Sequence, residues 1–183
     1  GDPGLRTLSY YTDNGAYFYY YSTPRPGAAN ATSYGADLRA IHSVEVEQRG
    51  VPFTYVQLDS YWYFKGAHNG VLNWSATPAT FPRGLGSLRD DTRWPVVAHN
   101  RYWGDLTPYA TANGGQYEFI VERDRHRSIP ASQQFWDELF ANKTARWGLA
   151  VYEQDWLHNE WESLDATLSS ATRAQTWLTQ MND

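Results

Sequence analysis

Four strand-like segments alternate with helix-like segments, and this alternation constrains the fold more than any single residue does. The strand-like segments are "LRTLSYY" (Leu5 to Tyr11), "VPFTYVQLDSYWY" (Val51 to Tyr63), "WPVVAHNRYW" (Trp94 to Trp103) and "LAVYEQDWL" (Leu149 to Leu157). They are rich in β-branched and aromatic residues, which suit a pleated, half-buried surface. Helical spacing begins near Tyr34, places Leu38, Ile41 and Glu45 on one stripe, and stops at Gly50. "FPRGLGSLRDD" reads as a short helix or turn. Ser132 is expected to cap a helix from Gln133 to Arg146, with Phe135, Trp136, Leu139 and Phe140 on its apolar face and Gly148 at its end. Ser163 or Asp165 opens a last helix with Leu164, Leu168, Ala171 and Leu178 on one face. The stretch from Thr107 to Pro130 reads as an inserted loop with a short extended piece.

Strands separated by helices pair in parallel through right-handed crossovers. Two architectures remain open on this ground: a free-standing four-stranded α/β domain, or the first half of a (β/α)8 barrel. A complete barrel takes about 250 residues, and this chain has 183. A half barrel leaves two strand edges that need a partner or the remaining strands. No linker or repeat divides the chain, so residues 1–183 are expected to form one domain.

Hydrophobic residues make up 42% and charged residues 19%, as in ordinary globular proteins. Aromatic content is 16%, with 9 Trp and 14 Tyr. Such rings line carbohydrate sites, stack on bases or fill cores, so their number alone does not choose. A net charge of −5 with no long basic run argues against nucleic acid. No segment approaches the roughly 20 apolar residues of a membrane span. The absence of cysteine excludes thiolate catalysis and Cys-ligated metals. There is no H-x-x-x-H pair, Walker loop or G-x-G-x-x-G, so neither metal nor cofactor is expected. Sequons at Asn30, Asn73 and Asn142 lean faintly toward secretion.

Polar and aromatic residues gather where the strands stop, the edge at which parallel α/β folds build their sites. Asp13 and Asn14 follow the first strand, Asp59 and Trp62 the second, His99, Arg101 and Trp103 the third, and Asp155 and Trp156 the fourth. Carboxylates can act as nucleophiles or accept sugar hydroxyls, and aromatic plates stack on sugar faces. Each residue also has a plainer role. Asp59 and Asp155 can cap turns, His99 can be a structural hydrogen-bonder, Arg101 can pair with an acid, and Trp62, Trp103 and Trp156 can be core. The same kind of cluster recurs at three successive strand ends, which favours a glycosidase-like site.

The ordered series "YVQLDSYWY", then Trp74 with "FPRGLGSL", then "VVAHNRYW", then "YEQDWL" resembles the retaining α-glycosidase clan of α-galactosidases, raffinose synthases and related α-glucosidases. The resemblance runs from about Leu5 to the end. It implies a (β/α)8 TIM-barrel type of fold, to which this chain supplies about the first four βα units. It implies a nucleophilic Asp155 and a sugar-binding Asp59, with Trp74 and Phe81 to Leu88 on the loop between; the strand-end residues Trp62, His99, Arg101, Trp103, Trp156 and Asp13 are expected to shape the substrate site with Trp74. The chain departs from the clan at "LDSYWY", where paired acids followed by Gly-Trp are usual. The clan's general acid/base lies around the sixth strand, so no residue here is expected to fill that role. Glu153 shares parity with Asp155 and reads as a rim or structural acid. The expected partner is a carbohydrate, with a second chain or a C-terminal half completing the barrel. The alternative is a carbohydrate-binding or scaffolding protein that keeps the fold without catalysis.

Overall fold

The computed structural model describes residues 5–12 and 33–182. Asp13, Asn14 and Asn30 lie outside the described residues. The described strands are β1 (Leu8–Thr12), β2 (Phe53–Leu58), β3 (Tyr63–Lys65), β4 (Val71–Ala76), β5 (Val96–Asn100), β6 (Phe119–Glu122), β7 (Arg127–Pro130) and β8 (Leu149–Gln154). The helices are α1 (Tyr34–Ile41), α2 (Gly84–Thr92), α3 (Gln133–Trp147), α4 (Leu157–Glu162), α5 (Asp165–Leu168) and α6 (Ala171–Asn182), and a π-helical segment His42–Gln48 extends α1. The chain divides into two compact units. One comprises Gly1–Trp62, Ala76–His99 and Lys143–Glu153, the other Tyr63–Ser75, Asn100–Asn142 and Gln154–Asp183.

The first unit is built on the expected alternation. Strands β1, β2, β5 and β8 form a sheet in that order, with β1 parallel to β2 and β2 parallel to β5. Register sets Tyr11 beside Gln57 and Gln57 beside Val97, while Thr12, Leu58 and Ala98 form the next row. Side chains alternate between faces. One face therefore carries Val56, Leu58, Val96 and Ala98, all with 0% exposure. Helices α1 and α2 add Tyr34, Leu38, Leu85 and Leu88 to the core. Arg39 joins these two helices by reaching Asp91 and donating to Ser87 Oγ at 2.6 Å. The other sheet face carries Tyr55, Gln57, Val97, Val151 and Glu153 and lines a groove of about 770 Å³.

Three strands stop earlier than the sequence suggests. β2 ends at Leu58 because Asp59 and Ser60 form a turn: Tyr61 N donates to Asp59 O at 2.8 Å, and Ser60 N donates to Asp59 Oδ1. β5 ends at Asn100 rather than Trp103, and β8 at Gln154 rather than Leu157. Ser33 caps α1 by accepting from Ala36 N. Ser132 does not cap α3, since its buried Oγ has no hydrogen-bond partner. Gly148 does end α3, at φ +70° with its N–H on Thr144 O, where a side chain would be strained.

The second unit holds what reads as loop in the sequence. β3 and β4 form one two-stranded sheet, β6 and β7 an antiparallel hairpin. Trp103 bridges to Val71 and to Ser128. The expected last helix is instead two, α5 and α6, and α4 precedes them. Leu168 is 59% and Leu178 42% exposed, while Leu164, Ala174 and Trp177 are buried. The break between Leu168 and Ala171 resets the helical phase, so spacing counted across it selects the wrong face. Gly115 shows how tightly this unit packs. A Cβ there would lie 2.2 Å from Tyr109 O and 2.3 Å from Pro108 O, both backbone atoms. Gly115→Ala is expected to lower stability by about 1–3 kcal/mol, read as a lower urea midpoint; an unchanged midpoint would show that this turn yields freely.

Candidate functional site

In the first unit, the end of β2 is fixed by a hydrogen-bonded chain. Glu153 Oε2 accepts from Gln57 Nε2 at 2.8 Å, and Gln57 Oε1 accepts from Thr12 N at 3.3 Å. Thr12 Oγ1 donates to Gln57 O at 2.7 Å and accepts from Asp59 N at 3.3 Å. Asp59 is thus held on a rigid backbone and is 6% exposed. Glu153 is a partner of Gln57 on the sheet face, which makes it the structural acid of the two readings its parity allowed. Tyr61 stacks on Tyr34 with ring centroids 3.7 Å apart. Burial, and next the neighbouring Tyr34, push the Tyr61 hydroxyl well above its ordinary range. His99 is buried at the end of β5 in this unit.

In the second unit, the segment after β8 is the most distinctive. Asp155 N donates to Asn100 O at 2.9 Å, which continues the pairing one residue past Gln154. Gln154 Nε2 donates to Arg101 O and to Asp155 O, binding the two strand exits together. Asp155 is exposed, and its Oδ1 accepts the Trp156 N–H at 2.7 Å. Trp156 sits at φ +56°, a left-handed conformation that is costly for a bulky residue and concentrates at functional sites. That bend sends the chain into α4 and leaves the indole beneath Arg101, whose guanidinium carbon lies 4.4 Å from the ring centroid. His158 stacks near the same indole at 5.9 Å. The turn role foreseen for Asp155 is therefore real, and it leaves the carboxylate at the surface, next in sequence to the ring on which the Arg101 cation rests.

The remaining tryptophans lie elsewhere. Trp62, Trp74 and Trp103 all have 0% exposure. Trp62 meets Trp147 edge-on at 5.6 Å in the first unit. Trp103 meets Tyr109, Phe119 and Phe135 edge-on at 5.2–6.1 Å in the second. None of the three presents a face to solvent, so the expectation of open plates is corrected for them. Trp156 alone among the expected plates keeps partial exposure. Asp59, Trp62 and His99 belong to the first unit, and Trp74, Arg101, Trp103, Asp155 and Trp156 to the second.

Several residues of the site were not legible in the sequence. Tyr102 takes the Arg127 guanidinium at 3.7 Å and that of Arg101 at 5.3 Å. Arg127 donates to His126 O at 3.2 Å and Asn159 Oδ1 at 3.0 Å. Glu160, in α4, is fully buried with no hydrogen-bond partner on either carboxyl oxygen. Burial pushes its carboxyl well above the usual range, against the opposing pull of the Trp103 backbone and the Arg127 charge. In the sequence it is an acid five residues beyond Asp155, and nothing around it marks it as buried. The folded chain holds this proton more tightly than the unfolded one. Its stabilising contribution is full below the unfolded glutamate value of about 4.3 and is lost as pH rises through the folded value. Glu160→Gln is neutral throughout. Urea titrations at about pH 4, 6 and 8 are expected to show the variant gaining on the wild type as pH rises; parallel profiles would show that Glu160 is ionised in the fold.

Among the described residues no group of three His, Asp or Glu side chains is placed to hold a metal ion. No described helix is long and apolar enough to cross a membrane. No family model matches the chain, and no curated protein matches it. Among solved structures the chain is similar to alpha-galactosidase I from Mortierella vinacea. The identity is 20% and the TM-score 0.44, over 96% of this chain and 37% of that one. The chain thus spans little more than a third of that protein's length.

Proposed function

We propose that this chain supplies the first four βα units of a (β/α)8 retaining glycoside hydrolase acting on an α-linked sugar, with Asp155 as nucleophile. The carrying observation is the surface carboxylate of Asp155 at the exit of β8, held by backbone bonds to Asn100 and Trp156 and accompanied by Arg101 on the Trp156 ring. A carboxylate so fixed needs little reorganisation to attack. In the first step an Asp155 oxygen bonds to the anomeric carbon as the glycosidic bond breaks, and the leaving oxygen takes a proton from an acid outside this segment. In the second step water attacks that carbon, the Asp155 ester bond breaks, and the same outside group, now a base, takes the water proton. Asp59 keeps, by resemblance, the role of accepting sugar hydroxyls.

The reading calls for four further βα units, supplied by another part of the protein or a second chain. Two features support it. Parallel sheets are almost always covered on both faces, and here Tyr11 and Val151, on the groove-lining face, are each 51% exposed. β1 and β8 also stand at the two ends of the sheet order, where added strands would pair. The test is trapping. A 2-deoxy-2-fluoro-α-glycosyl fluoride incubated with the complete protein is expected to add one sugar mass to the peptide bearing Asp155. Labelling at another carboxylate, or saturable binding with no adduct, would replace this reading by that of a sugar-binding protein without turnover.

A further inference from the structure

The hydrogen-bond donors of Arg101 have no role in the glycosidase reading. Its guanidinium lies over Trp156 at 4.4 Å and near Tyr102 at 5.3 Å. Its Nε is buried with no hydrogen-bond partner, and among the described residues it forms no ion pair. Stacking holds the cation in place but satisfies none of its in-plane donors. A buried charged donor left unsatisfied is expensive and calls for an acceptor. Arg127, the other arginine on Tyr102, is the contrast. Its Nε is likewise buried without a partner, but its two terminal nitrogens donate to His126 O and Asn159 Oδ1, whereas no nitrogen of Arg101 donates to a described residue. Arg127 is a structural cation, whereas Arg101 is oriented and has no anionic partner among the described residues. It also stands at the strand exit bound to that of Asp155 through Gln154.

We propose that the substrate is an anionic sugar whose carboxylate or sulfate group is taken by the Arg101 guanidinium. This rests on the assignment of the Asp155 strand end as a sugar site. The planar fork of Arg matches an oxyanion in a bidentate way, and Trp156 behind it fixes the plane of the fork. A neutral hydroxyl would fill the same donors less well. Arg101 thereby selects charge, while Asp155 does the chemistry.

The test is calorimetric binding to the complete protein at low salt. The probes are methyl α-galactoside and methyl α-glucoside, each beside its 6-carboxylate and its 6-sulfate. In the wild type the preferred anionic form is expected to bind about tenfold or more tightly than its neutral parent, as a charge-assisted hydrogen-bonded pair would give. The carboxylate and sulfate arms show which group the fork takes, and added salt should shrink the advantage. Arg101→Met is expected to erase the preference for the anionic form, and Arg101→Lys to restore part of it. Neutral and anionic sugars binding equally to the wild type overturns the proposal and leaves the sugar site standing, and this result needs no variant to fold. An equal loss for both sugars in Arg101→Met, without rescue by lysine, also overturns it. Failure of every sugar to bind the wild type overturns the underlying sugar-site reading as well.

Discussion

Asp155→Asn in the complete protein is expected to lower glycoside turnover by about 1,000-fold or more, a barrier increase of roughly 4 kcal/mol. The reason is chemical. An amide oxygen is a poor nucleophile toward an oxocarbenium-like carbon, whereas the carboxylate forms the covalent ester that divides the reaction into two easier steps. The variant should keep the fold. The amide oxygen that replaces Oδ1 can still accept the Trp156 N–H, and the backbone bond from position 155 to Asn100 O is untouched. A circular dichroism spectrum and urea midpoint close to the wild type are therefore part of the expectation. A second arm isolates the role. In Asp155→Gly the vacated space can admit azide, which would attack from the side the carboxylate occupied and yield a β-glycosyl azide from an α-linked substrate. Turnover of Asp155→Asn within about tenfold of the wild type removes Asp155 as nucleophile, and the strand end becomes a binding feature.

Trp103→Ala is expected to cost about 3–5 kcal/mol of stability. The ring has 0% exposure and sits among Tyr109, Phe119 and Phe135. Its backbone joins two strand pairs, bridging to Val71 and to Ser128, whose N–H donates to Trp103 O at 3.0 Å. Removing the indole leaves a cavity that these fixed neighbours cannot collapse to fill. The readout is the urea midpoint of the second unit, followed by near-UV dichroism. Trp103→Phe should lose less, because part of the edge-on packing survives. Trp156→Ala, at a partly exposed ring, should lose less still while weakening sugar binding. A Trp103→Ala variant as stable as the wild type would mean that the indole is not a core residue.

The strand ends were legible in the sequence because polar residues break an apolar run, and the run itself sets where the core stops. Asp155 was singled out on that ground, and the structure puts its carboxylate at the surface. Trp62, Trp74 and Trp103 belonged to the same clusters in sequence, yet all three rings are buried. An aromatic residue next to a polar one carries no mark of which side it faces. Arg127 and Glu160 were missed for a related reason: one lies on a hairpin read as loop, the other on a helix too short to show a phase.

By itself the sequence determined the alternation of strand and helix, and with it the sheet β1-β2-β5-β8 with β1, β2 and β5 parallel. Local periodicity and chain handedness suffice for that, because each strand must bury the same parity of side chains. Only the tertiary structure decided which rings are core, that Trp156 turns left-handed, and that Arg101 rests on it with no ion pair among the described residues. Arg101 and Trp156 are far apart in the chain. Their contact depends on two strand exits being hydrogen-bonded side by side, and no local pattern encodes that pairing.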